Sequence, residues 1–121
     1  MQIKSIDPLS LKKRLDDGSA MLIDIREVHE HAREHIAGAL LAPLSRFHAE
    51  DFSAHRGKTA VFYCHSGGRT GSTARLLSSK GFRDVYHLGG GILAWKAAGL
   101  PIQSKHNASA EGGRKRFGWL Y

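Results

Sequence analysis

Val61-Phe62-Tyr63-Cys64-His65-Ser66-Gly67-Gly68-Arg69-Thr70-Gly71-Ser72 passes from apolar residues through two glycines into residues that suit a helix. Residues 59–63 read as the strongest strand of the chain, the glycines break the pattern, and 70–80 reads as a helix. Ala74, Leu77 and Leu76 face inward on it, and Gly81 stops it. Strand, tight loop and helix in that order form the repeating unit of a parallel sheet. The same alternation extends to both sides. Upstream, 3–6 can open with a strand, and Asp7 can cap a helix that has Pro8 at its first position. Leu11 and Leu15 share a face of that helix, and Gly18 ends it. Residues 21–25 form a short apolar strand, 27–34 suit a helix, and 39–42 form a third strand. Downstream, 85–88 is a strand, 92–98 a helix, and Gly99 with Pro101 closes it. Continuous apolar strands alternating with helices predict an α/β fold: a central parallel sheet of about five strands flanked by helices on both faces. Ligands of such sheets bind in loops at the carboxyl ends of the strands, and the loop after Tyr63 is one of these.

The only cysteine, Cys64, stands at the start of that loop. Gly67 and Gly68 let the backbone curl so that N–H groups converge. A following helix directs its positive end at the loop, and Arg69 adds a forked cation. Each feature favours the thiolate, which is the nucleophile. The same groups, from His65 through Ser66, Gly67, Gly68 and Arg69 to Thr70, would hold an anion against the sulfur. Asp24 and Arg26, at the end of the second strand, are expected beside the loop. Asp24 would orient it through backbone hydrogen bonds, and Arg26 would otherwise form a surface pair with Glu27 or Glu30.

Several motifs together resemble the rhodanese (thiosulfate sulfurtransferase) homology domain. These are Cys64-x-x-Gly67-x-Arg69-Thr70, Leu22-Ile23-Asp24-Ile25-Arg26-Glu27, Glu34-His35-Ile36-Ala37-Gly38-Ala39, and Leu88-Gly89-Gly90-Gly91-Ile92-x-x-Trp95 with Gly99-Leu100-Pro101. Glu34 stands where that family has glycine, and Ala37 where it has proline. The resemblance covers about residues 3–102. It implies a sulfurtransferase in which Cys64 takes a sulfane sulfur from thiosulfate or a related small anionic donor. The persulfide then passes its sulfur to cyanide or a thiol. No cofactor and no metal are implied. The alternatives are a module that senses sulfur or binds a partner without turnover, and a related phosphatase or arsenate reductase. The last has five residues between cysteine and arginine, whereas four intervene here.

Composition narrows the other classes. The 121 residues make one domain, 41% hydrophobic and 24% charged, which excludes a disordered chain. A single cysteine excludes an internal disulfide. No run of apolar residues is long enough to cross a membrane, and residues 1–5 lack the apolar core of a signal peptide, so a cytoplasmic protein is expected. The net charge is +7, which concentrates anions near the surface. No recognition-helix or zinc-finger pattern accompanies it, so nucleic acid is not an expected partner. The division expected is 1–102 as the sulfurtransferase domain and 103–121 as a flexible basic tail. Lys105, Arg114, Lys115 and Arg116 of that tail, with Phe117, Trp119 and Tyr121, could touch an anionic membrane surface. His31 and His35 lie four apart, but Arg33 breaks the zinc motif. Gly89-Gly90-Gly91 is read as a tight turn beside the Cys64 loop and Trp95 as a core anchor. A monomer or a homodimer is compatible with all of this.

Overall fold

The computed structural model describes residues 3–104. Five strands form one sheet in the order β1-β6-β5-β2-β4, and every pairing in it is parallel. They are β1 (Lys4–Ile6), β2 (Met21–Asp24), β4 (Leu40–Leu41), β5 (Thr59–Tyr63) and β6 (Asp84–Leu88). Successive side chains of a strand leave on opposite faces, which makes two cores. Leu22, Val61, Tyr63 and Leu88 pack with Leu11 of α1 (Pro8–Asp16) and with Ile92 and Trp95 of α5 (Gly91–Ala97). Ile23, Ala60, Phe62 and Cys64 pack on the other face. Their partners are Phe47 of the 3-10 segment Leu44–Ala49, Phe52 just before the next 3-10 turn at Ser53–His55, and Leu77 of α4 (Ala74–Ser78). The expected sheet and its cover on both faces are therefore present. Among the described residues, no helix is long and apolar enough to cross a membrane.

The first helix starts as its sequence dictates. Asp7 accepts the Ser10 N–H at 3.1 Å, and Pro8 occupies the first turn, where its missing N–H costs nothing. Trp95 is buried, and its indole N–H donates to the Pro101 carbonyl at 2.8 Å, so the anchor's one polar atom is satisfied.

Three expectations need correction. The helix read over 70–80 is two short helices, α3 (Gly68–Ser72) and α4, broken at Thr73, whose backbone leaves the helical region at φ −116° and ψ 21°. The Thr73 hydroxyl donates to the Arg69 carbonyl at 2.6 Å, offering that carbonyl an alternative to helix continuation. Leu76 consequently stays 36% exposed. The helix read to residue 34 ends sooner: α2 is Val28–Arg33, and Glu34 already belongs to β3 (Glu34–Ile36). β3 pairs antiparallel with β7 (Ile102–Ser104), with His35 opposite Gln103 and Glu34 opposite Ser104. The folded unit thus runs two residues past the expected boundary at 102. The rest of the expected basic tail lies outside the described residues.

Candidate active site

Cys64 follows the last residue of β5 and is 1% exposed. Its Sγ accepts the Gly67 N–H at 3.1 Å, and the Thr70 hydroxyl stands 3.9 Å away. Gly67 makes the curl possible at φ +103°, a conformation other residues rarely adopt. The loop is pinned from behind by α5. The Ile92 N–H donates to the Cys64 carbonyl at 3.0 Å and the Leu93 N–H to the His65 carbonyl at 3.1 Å. Gly91 permits that approach, because a Cβ there would sit 2.5 Å from the Cys64 carbonyl oxygen. The glycine triplet is therefore the turn expected from sequence, and its reason is the docking of the loop. The N–H groups of Gly68, Arg69 and Thr70 have no acceptor among the described residues, as the first turn of a helix leaves them.

Arg69 reaches out of this loop but not as a free cation. Its guanidinium makes a forked pair with Glu30 on α2, at 2.8 and 2.9 Å, with 37% of its side chain exposed. The Arg69 hydrogen bonds hold the Glu30 carboxyl down to about 2 against burial, and Glu30 in turn raises the Arg69 affinity for its proton. Sequence reasoning missed this partner for Arg69. It offered Glu30 to Arg26 instead, because nothing local shows which cation lies across from α2.

Arg26 is committed elsewhere. Its Nε and Nη2 donate to the two oxygens of Asp24 at 2.9 and 2.8 Å, and Nη2 also donates to the Glu34 carbonyl at 2.7 Å. Asp24 accepts further from the Tyr63 hydroxyl at 3.0 Å and from His31 Nδ1 at 2.8 Å. Burial pushes the Asp24 carboxyl up, and the bonds from Arg26 and His31 outweigh it, so the group stays below its ordinary value. Burial, reinforced by the Asp24 charge, raises the Tyr63 hydroxyl well above its usual range. Asp24 is thus a buried hub and makes no backbone hydrogen bond to the Cys64 loop. It acts on the loop only through Tyr63, the residue before Cys64. The Arg26 surface pair with Glu27 or Glu30 does not form. His31 and His35 stack at 3.9 Å, and the latter donates to the His31 carbonyl at 2.9 Å.

Of the other expected site residues, Gly67 and Thr70 meet the sulfur, Gly68 and Arg69 carry the same loop into its helix, and the His65 and Ser66 side chains are exposed at its outer edge. Thr70 is buried, and its hydroxyl donates to the Gly67 carbonyl at 3.0 Å. The same oxygen lies 3.1 Å from Nδ1 of His87 on β6, a neighbour that the sequence reading did not single out.

The rhodanese-like domain profile matches residues 7–98. The chain belongs to the rhodanese family. One relative, the protein slr1261 of Synechocystis sp., is 40% identical over 104 residues, covering 86% of this chain and 58% of its own length. The chain thus spans little more than half of that relative. A sulfurtransferase of Allochromatium vinosum is 36% identical over 101 residues, covering 83% of this chain and 94% of its own. Among solved structures, the rhodanese-like domain of the Alr3790 protein from Anabaena sp. superimposes with a TM-score of 0.75 at 27% identity, covering all of this chain and 93% of that one. The rhodanese fold thus spans the described sheet.

Proposed function

We propose that this rhodanese domain is a sulfurtransferase that carries a sulfane sulfur on Cys64. The observation that carries the reading is the Cys64 sulfur itself, buried at the carboxyl end of β5 and met by the Gly67 N–H at 3.1 Å. The Cys64 thiolate attacks the outer sulfur of thiosulfate. The bond between that sulfur and the sulfonate sulfur breaks, and sulfite leaves with the electron pair. The resulting Cys64 persulfide anion would take the loop N–H groups as donors, and the Gly67 N–H that meets Sγ at 3.1 Å supports this. Cyanide or an external thiolate then attacks the terminal sulfur, and the Cys64 thiolate is regenerated. No net redox agent is needed, and two successive displacements make the cycle ping-pong. With one cysteine, the 121 residues cannot resolve the persulfide as a disulfide among themselves. The four residues between Cys64 and Arg69 suit one sulfur atom better than a tetrahedral oxyanion.

Intact-protein mass spectrometry tests the reading. Thiosulfate is expected to add the mass of one sulfur atom, cyanide to remove it, and a folded Cys64→Ser protein to gain nothing. No adduct with thiosulfate, polysulfide or mercaptopyruvate would overturn it in favour of a binding module.

A further inference from the structure

His87 lies on the Cys64 face of the sheet. It pairs in register with Phe62 on β5, which packs in the same core as Cys64. Its Nδ1 stands 3.1 Å from the Thr70 hydroxyl oxygen, and that hydroxyl stands 3.9 Å from Cys64 Sγ. Thr70 has one hydroxyl proton and three surrounding acceptors: the Gly67 carbonyl, His87 Nδ1 and, once ionised, the sulfur. The protonation of His87 therefore governs where that proton goes.

The charged surroundings leave this role to His87. Its register neighbour on β1 is Ser5, and Lys4 and Arg14 lie over the Tyr86 ring on the opposite face. From α2 and α3, Glu30 and Arg69 are already paired with each other. Arg26 is bound to Asp24. His65, beside Cys64, is exposed. Burial lowers the proton affinity of His87, so an imidazolium there depends on the thiolate formed across Thr70 to offset that cost.

We propose that His87 is a positioning residue that acts through Thr70, storing the proton that Cys64 gives up. The step is a concerted shift. The S–H bond breaks with its electron pair left on sulfur, and the proton joins the Thr70 oxygen as that oxygen's own proton passes to Nδ1. His87 then donates to Thr70, and Thr70 donates to the thiolate. The inference rests on Cys64 as nucleophile in the proposed sulfur transfer and concerns how its thiolate forms.

The test is the rate of Cys64 alkylation by iodoacetamide from about pH 5 to about pH 9, where histidine and cysteine titrate. His87→Asn and His87→Gln keep a hydrogen-bonding side chain beside Thr70 but cannot take the proton. Both are expected to move the alkylation midpoint up by about one pH unit and to slow alkylation near pH 7 about tenfold. Adding His87→Asn to Thr70→Val is expected to slow it no further, because the connection is already cut. A wild-type pH profile in both His87 variants would overturn the proposal, since a purely structural hydrogen bond is retained in them. Alkylation needs no sulfur donor. An enzyme inert to every donor but sensitive at His87 would sink the transfer reading alone, and normal transfer with an insensitive profile would sink only the role of His87.

Discussion

Asp24 shows what one buried charge can organise. Arg26, Tyr63 and His31 all donate to it, and Arg26 is itself only 2% exposed. Removing the carboxylate leaves that guanidinium buried without its counter-charge. Asp24→Asn is therefore expected to cost about 3–5 kcal/mol, read as a lower urea midpoint at unchanged slope. A midpoint equal to the wild type would mean that the hub is not the clamp described. At this scale the sequence was legible where chemistry is local. Cys64, Gly67 and Thr70 share one loop, and their spacing exposes them. The Glu30 partner of Arg69 and the His87 partner of Thr70 were not legible, because each depends on a register between elements distant in sequence.

Among the elements, the junction of α5 with the Cys64 loop has the least freedom. Gly91 holds φ +61° and faces the backbone of Cys64 and His65 without room for a methyl group. Gly91→Ala is expected to cost at least about 1–2 kcal/mol of left-handed strain. It should also slow sulfur transfer more than the stability loss alone explains, because α5 must lift off the loop carbonyls. Transfer rate and urea midpoint measured together check this, and wild-type values of both would refute it. The five sheet strands were readable from their apolar runs. β3 and β7 were not, since Glu34-His35-Ile36 and Ile102-Gln103-Ser104 are largely polar segments that fall outside the strand–helix alternation, and their antiparallel pairing joins positions far apart in sequence. The break at Thr73 was hidden for another reason. Residues 70–80 have helical periodicity throughout, and only the hydroxyl bond to Arg69 shows why the helix restarts.

For the whole molecule, charge is the property that reaches furthest. A net +7 draws small anions from a distance, while Arg69, the cation of the Cys64 loop, is already engaged with Glu30. If thiosulfate is the donor, as proposed above, its attraction is expected to come from the diffuse field more than from one contact. Raising salt well above the physiological range is expected to lower kcat/KM for thiosulfate severalfold with little change in kcat. A salt-independent kcat/KM would place the attraction in a short-range contact instead.

The burial of Cys64 has one more consequence. At 1% exposure, with α5 behind it and its own loop curled around it, the sulfur has little surface to offer. If it carries sulfur as proposed, a slender donor or acceptor is expected to reach it more readily than a thiol set flush in another folded surface.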